Sequence, residues 1–191
     1  MSNKVKFGLK SLHYAIGTPT ANGSYTYGTP KPIKGSVNMS LEAQGESTPF
    51  YADDVVYYIS NSNSGYQGDI EMALVPKDFR IDVLGEKEDG NGIVYEDANA
   101  PVVHFALLFE FDGDVDATRY ALYDCTASRP AVASATKTDT TEPQTESITV
   151  TARPAYVAAV DAYVSKAYCD DKTADQYEDW YETVYTPVAG T

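Results

Sequence analysis

The nine residues VHFALLFEF, Val103–Phe111, decide the fold that we expect for this chain. In an extended chain alternate side chains point the same way, which puts five large apolar residues on one face. These are Val103, Phe105, Leu107, Phe109 and Phe111. Ala106 and Leu108 make the second face apolar as well, which is typical of a strand covered on both sides. The stretch therefore predicts the central core strand of a mainly β protein.

Two further stretches alternate apolar and polar residues with the period of a strand that is buried on one face. They are Ser36–Glu42 and Asp69–Leu74. The apolar positions are Val37, Met39, Leu41, Ile70, Met72 and Leu74. We expect both strands to belong to one sheet, whose outer face carries the carboxylates of Glu42, Asp69 and Glu71.

Outward from these segments, Arg119–Thr126 and Ser147–Ala152 also predict strands, and two short helices are expected. The first opens at Pro76 and closes at Gly85. The second follows a capping-box pattern of Thr173 and Gln176. Its apolar stripe, expected to lie across a sheet, is Tyr177, Trp180, Tyr181 and Val184. Between these elements, Tyr156–Tyr168 fits either a helix or strands.

Two stretches predict long loops, Pro49–Gly65 and Ala133–Glu146. The first is rich in Tyr, Asn and Ser, and the second in Thr, Ser and acidic residues. Long loops on a small β protein often carry contacts with partners. The candidate contact residues of the first loop are Phe50, Tyr51, Asp53, Asp54, Tyr57 and Tyr58.

Length and charge limit the possible classes of protein. A chain of 191 residues fits one domain, residues 1–191. Its formal charge of −14 would be repelled by phosphates, which argues against a conventional nucleic-acid-binding protein. We find neither a signal-peptide pattern nor an apolar run of membrane-spanning length, and so expect no membrane span and synthesis in a cytosol.

No residue pattern predicts catalysis, a cofactor or a metal. Asp112, Asp114 and Asp116 start like a calcium loop, but Ala117 stands where that loop needs glycine, so a hairpin turn is favoured. His13 and His104 lack a second ligand or base at a useful spacing, and Cys125 and Cys169 are far apart. Gly85, Gly90 and Gly92 lie among charged residues and predict a polar turn rather than a phosphate-binding loop. We expect a protein that is not an enzyme.

Seven phrases, in order along the chain, carry a resemblance to a known family. They are VKFGLKSLHYA from Val5, FYADD from Phe50, GYQGDIEMALVPKDFRIDVLG from Gly65, FALLFEF from Phe105, YDCTASRP from Tyr123, EPQTESITVTARP from Glu142 and WYETVYTP from Trp180. Together they closely resemble the phi13-type major tail proteins of bacteriophages with long non-contractile tails.

The resemblance implies a tail-tube fold, a β-sandwich or partial barrel with a short flanking helix, that forms hexameric rings stacked into a hollow tube. It implies as partners other copies of the chain, a tape-measure protein, a tail terminator and a distal tail protein. DNA would pass through the tube without specific binding. On this basis we expect Glu42, Asp69 and Glu71 to face the lumen, and the Phe50–Gly65 segment to make contacts between rings or between subunits.

Two other functions are compatible with the same residues. An Ig-like β-sandwich adhesin would share the strand pattern and the tyrosine-rich segments, and would be a monomer that binds glycan. A hydrolase built on carboxylates would depend on Asp53 or Asp54 for turnover.

Overall fold

The protein is described by a computed structural model that covers residues 8–114, 116–134 and 144–190. Antiparallel strands dominate it, and two short helices and a 3₁₀ turn pack against them. The strands are β1 (Leu9–Pro19), β2 (Tyr25–Tyr27), β3 (Lys31–Pro32), β4 (Ser36–Gln44), β5 (Ser47–Ala52), β6 (Val55–Asn61), β7 (Gly65–Met72), β8 (Glu86–Glu88), β9 (Val94–Glu96), β10 (His104–Phe111), β11 (Arg119–Ala127), β12 (Glu146–Ala152), β13 (Ala155–Val157), β14 (Ala162–Val164) and β15 (Lys166–Cys169). The helices are α1 (Lys77–Asp82) and α2 (Asp175–Glu178), and the 3₁₀ turn is Asp179–Tyr181.

One large sheet organises these elements, in the order β2-β1-β10-β11-β12-β7-β4. β3 pairs with β1, and β15 pairs with β11. Every pairing in this sheet is antiparallel, and within the described residues its ends do not meet, so the sheet folds over as an open sandwich. The mainly β prediction is confirmed.

The predicted core strand is confirmed as β10, which lies between β1 and β11 and is covered on both faces. Phe105 and Leu107 are fully buried on one face. Ala106 and Leu108 are fully buried on the other. The strand therefore separates two hydrophobic clusters, which gives the protein a packed layer on each side of the sheet.

Helix α1 covers the first cluster and confirms the predicted helix, although it ends at Asp82, before Gly85. Phe79 is buried edge-on between the rings of Tyr14 and Phe105, with centroids 5.1 Å and 5.8 Å away. Gly85 takes a positive φ of 76°, which glycine adopts at little cost. This turns the chain from the helix into β8.

The C-terminal segment covers the second cluster, as the apolar stripe predicts. Trp180 and Val184 are buried, and the Trp180 indole donates to the Tyr120 carbonyl oxygen at 3.3 Å. The predicted capping box is wrong. Helix α2 begins after Ala174, and the Thr173 hydroxyl instead donates to the carboxylate of Asp171 at 2.7 Å, closing a local turn.

A cationic clamp holds this segment on the sheet. The guanidinium of Arg119 in β11 lies 3.9 Å from the ring centroid of Tyr177 and 4.9 Å from that of Tyr181. It also donates to the Tyr177 carbonyl oxygen and forms a 3.4 Å ion pair with Glu110 in β10. Because the side chains of Arg119 and Glu110 are mostly buried, the clamp ties the two central strands to the C-terminal segment.

Several boundaries differ from the sequence prediction. Tyr156–Tyr168, for which the sequence allowed either a helix or strands, forms the strands β13, β14 and most of β15. Leu74 was expected in the core but is exposed, since β7 ends at Met72. Val37 is exposed because a bulge between Ser36 and Asn38 breaks the alternation of β4. Most of the predicted loop Ala133–Glu146 lies outside the described residues, and its last residue begins β12.

We expect Trp180→Ala to lower the free energy of unfolding by about 3–5 kcal/mol, because it leaves a large cavity between the C-terminal segment and the sheet. Tyr163→Ala is the matched control, since Tyr163 is exposed and its change should stay within about 0.5 kcal/mol. Urea unfolding followed by circular dichroism measures both. Equal stability of the two variants would contradict the packing role of the C-terminal segment.

Candidate assembly surfaces

The three carboxylates singled out in the sequence lie together on one face of the sheet. β4 pairs with β7 in a register that sets Ser40 opposite Asp69 and Glu42 opposite Gln67. Because paired residues of an antiparallel ladder share a face, Glu42, Asp69 and Glu71 all point away from the hydrophobic core. Ile70, between the two carboxylates of β7, is fully buried on the other side.

Hydroxyl groups of β12 and of the residue before it complete this acidic face. The hydroxyl of Thr149 donates to Asp69 at 2.7 Å, and that of Thr145 donates to Glu71 at 2.5 Å. The neighbouring side chains on the same face are polar and uncharged: Asn38, Ser40, Gln67, Ser147 and Thr151. Strands β4, β7 and β12 contain no lysine or arginine, so this face carries carboxylate, amide and hydroxyl groups and a net negative charge.

Close contact between β4 and β7 depends on Gly68. A Cβ placed on this residue would lie 1.8 Å from the Ser40 carbonyl oxygen, which is backbone and cannot move aside without shifting β4. The absence of a side chain at Gly68 therefore lets the edge strand β4 pair with β7 beside Asp69.

We expect Gly68→Ala to destabilise the protein by about 1–3 kcal/mol and to loosen β4 first, because the clash falls on the edge strand. Amide hydrogen exchange measures this: relative to the wild-type protein, the variant should exchange faster in Ser40–Glu42, while the rates in β10 change less. Gly90→Ala is the control, since nothing lies within 4 Å of a Cβ at that position. Unchanged exchange in β4 would refute the role assigned to Gly68.

The predicted loop Pro49–Gly65 is wrong as a loop, because most of it belongs to a β-hairpin. β5 and β6 pair from Ser47 with Asn61 to Ala52 with Val55, around a turn at Asp53 and Asp54. Both turn residues have positive φ, 53° and 61°, as in the type I′ turn of tight hairpins. Tyr, Val and Ile favour strands, but the signal of alternation is missing because neither face of the hairpin is buried.

The hairpin exposes large apolar side chains on both of its faces. Tyr57 is 76% exposed, Tyr58 63% and Phe50 61%. The others are Tyr51, Val55, Val56 and Ile59. Asp53 and Asp54 stand at the tip, in the turn between β5 and β6. An isolated two-stranded hairpin is at best marginally stable in water, and so much exposed apolar surface marks an interaction site.

One cluster of ionisable side chains around a buried carboxylate was not foreseen from the sequence. Asp124 lies at a bulge in β11 with a positive φ of 45°, and its carboxylate is almost fully buried. His104 Nδ1 lies 2.5 Å from this carboxylate, and the Arg153 guanidinium lies 3.1 Å from it. The residues are 20 and 29 positions apart from Asp124, so only strand pairing brings them together.

Other ionisable groups of the described residues have structural surroundings. In residues 8–114, 116–134 and 144–190, no three His, Cys, Asp or Glu side chains are grouped so that they could hold a metal. Burial raises the pKa of the Cys125 thiol, which keeps it protonated and unreactive. The Asp114 carboxylate accepts hydrogen bonds from the amides of Asp116 and Thr118 in the turn between β10 and β11. Across the same ranges, each helix is too short and too polar to cross a bilayer.

A mainly β fold with an acidic sheet face and a projecting apolar hairpin is typical of a structural subunit that covers its exposed surface by assembly. The chain belongs to the phage tail tube protein family, whose model matches residues 1–187. Comparison with curated proteins gave no match. The resemblance seen in the sequence is thus confirmed: the chain is a structural tail tube protein of a bacteriophage, from a family of virion tail components rather than a known enzyme family.

Proposed function

We propose that this protein forms hexameric rings that stack into the tail tube of a siphophage, a phage with a long non-contractile tail, and that DNA leaves the virion through this tube. The exposed β5–β6 hairpin carries the proposal. Burying a large apolar side chain contributes roughly 1.5–3 kcal/mol, so seven of them supply on the order of 10 kcal/mol. Burial of this surface therefore offsets most of the roughly 4–15 kcal/mol cost of association, which supports assembly through the hairpin.

In this proposal, Phe50, Tyr51, Tyr57 and Tyr58 make the contacts between subunits, with Asp53 and Asp54 at the tip. Glu42, Asp69 and Glu71 line the lumen. The absence of basic residues from β4, β7 and β12 supports this assignment, since a wall without cations does not retain a passing polyanion. Repulsion from the carboxylates acts over about 10 Å at 0.1 M salt.

We propose that residues 1–191 form one domain that has no catalytic activity and binds no cofactor. The subunit is made in the host cytoplasm and then meets copies of itself, a tape-measure protein, a tail terminator and a distal tail protein. The apolar hairpin and the open sheet edge at β4 support a subunit that is completed by its neighbours.

Sedimentation and negative-stain microscopy of the purified protein test the proposal. We expect rings or tubes of uniform width whose fraction rises with protein concentration. A protein that stays monomeric at high concentration and at all salt concentrations would contradict the proposal. A monomer that binds glycan would favour an adhesin, and a substrate turnover lost on changing Asp53 or Asp54 would favour a hydrolase.

A further inference from the structure

An apolar groove opens where the sandwich is not closed, between the edge strand β4 and the strands β10 and β11. Its volume is about 450 Å³. The apolar lining residues include Met39, Leu41, Tyr66, Phe109, Phe111 and Tyr120. Lys166 of β15 stands at its rim, with its ammonium group 5.2 Å from the centroid of the Tyr66 ring.

The β5–β6 hairpin cannot fill the groove of its own subunit. The hairpin prolongs the β4–β7 ladder. That ladder ends at the pair Gln44 and Gly65, and the β5–β6 ladder begins a few residues further on, at the pair Ser47 and Asn61. At about 3.3 Å per residue, the hairpin tip at Ala52 lies roughly 25 Å beyond Gln44. All residues of β5 and β6 except the partly covered Ala52 are exposed, so the hairpin does not fold back onto the sandwich.

The chemistry of the hairpin matches that of the groove. Large aromatic side chains on the hairpin can stack on the aromatic lining of the groove, as Phe109 and Tyr120 already stack on each other at 5.3 Å. The tip of the hairpin is doubly acidic, through Asp53 and Asp54, and the groove has a lysine at its rim. In a chain with 28 acidic and 14 basic residues, a lysine beside an apolar groove favours an acidic occupant.

We propose that the groove lined by Met39, Leu41, Tyr66, Phe109, Phe111 and Tyr120 receives the β5–β6 hairpin of a second copy of this chain, with Lys166 facing Asp53 and Asp54. This inference rests on the proposed self-assembly and adds the acceptor surface to it. Each subunit then carries a donor and an acceptor at different places, so the contact is head-to-tail and propagates through the assembly.

Crosslinking between two populations of subunits tests the acceptor. In a Cys169→Ser background, where the remaining Cys125 is fully buried, one population carries Tyr57→Cys and the other Met39→Cys. A short bismaleimide linker should join the two populations in assembled material. A population with Ile93→Cys, exposed in the turn between β8 and β9, is the control and should not be joined.

Reactivity of the Met39→Cys thiol separates a neighbour's hairpin from other occupants. We expect it to react with maleimide in the monomer and to be protected at least tenfold in tubes. Protection already present in the monomer would show that a segment of the same subunit fills the groove, and would overturn the inference. Tubes that form normally but crosslink Tyr57→Cys only to Ile93→Cys, or leave Met39→Cys reactive, would also overturn it while leaving the proposed function intact.

Charge changes supply an independent readout. Lys166→Glu should raise the protein concentration needed for assembly by roughly tenfold, because like charges then face each other. Adding Asp53→Asn and Asp54→Asn, which keep residues that tolerate positive φ, should restore assembly. Lys34→Glu, at an exposed lysine that does not line the groove, should have little effect. If Lys166→Glu and Lys34→Glu behave alike, the inference is wrong, whereas a wild-type protein that never assembles would overturn the proposed function with it.

Discussion

Subunits whose hairpin is removed should fold normally and lose the ability to form rings or tubes. Residues 49–59 would be replaced by Asn-Gly, so that a two-residue turn joins Thr48 to Ser60, which already pair in the ladder. We expect little change in the free energy of unfolding, because the deleted segment contains no buried residue. Assembly should be lost even at the highest soluble concentration, because about 10 kcal/mol of apolar burial is removed from each subunit. Sedimentation velocity and negative-stain microscopy measure the loss.

A graded pair of variants separates loss of contacts from loss of folding. Tyr57→Ser combined with Tyr58→Ser keeps the hairpin length and should weaken assembly without abolishing folding. Tyr163→Ser removes an equally exposed tyrosine, 75% exposed, from another part of the surface and should leave assembly unchanged. Normal tubes from the deletion variant would assign the assembly contact to another surface.

Reversing the charge of the acidic face should slow DNA ejection strongly. Glu42→Lys, Asp69→Lys and Glu71→Lys together place three cations in every subunit, and cations in every ring create a phosphate-binding wall. Folding should survive, since the lost hydrogen bonds from Thr149 and Thr145 lie at the surface and contribute little. Ejection kinetics from virions built with this variant should recover as salt rises, because screening weakens the phosphate contacts.

Glu42→Gln, Asp69→Asn and Glu71→Gln form the matched control, which removes the negative charges without adding cations. We expect this neutral variant to eject DNA much faster than the lysine variant. Normal ejection of the lysine variant at low salt would show that the acidic face lies outside the lumen or between subunits. Such a result would leave membership of the tail tube family unaffected.

Elements with a local signal could be predicted from the amino-acid sequence. Val103–Phe111 identified the central strand, because large apolar side chains at alternate positions, together with an apolar second face, are typical of a strand covered on both sides. Phe79, Trp180 and Val184 marked buried faces at helical spacing, and the structure buries all three. The carboxylates of Glu42, Asp69 and Glu71 were assigned to one face, because strand periodicity places them opposite Ile70 and Met72.

Features that depend on strand pairing or on exposure became visible only in the folded protein. The β5–β6 hairpin carries no alternation of polar and apolar residues, since both of its faces meet solvent, so its strands were hidden from pattern analysis. The Asp124–His104–Arg153 cluster and the groove beside Lys166 join residues distant in sequence through strand register. Register is set by which faces are buried together, and that is a property of the whole folded sheet rather than of any one segment.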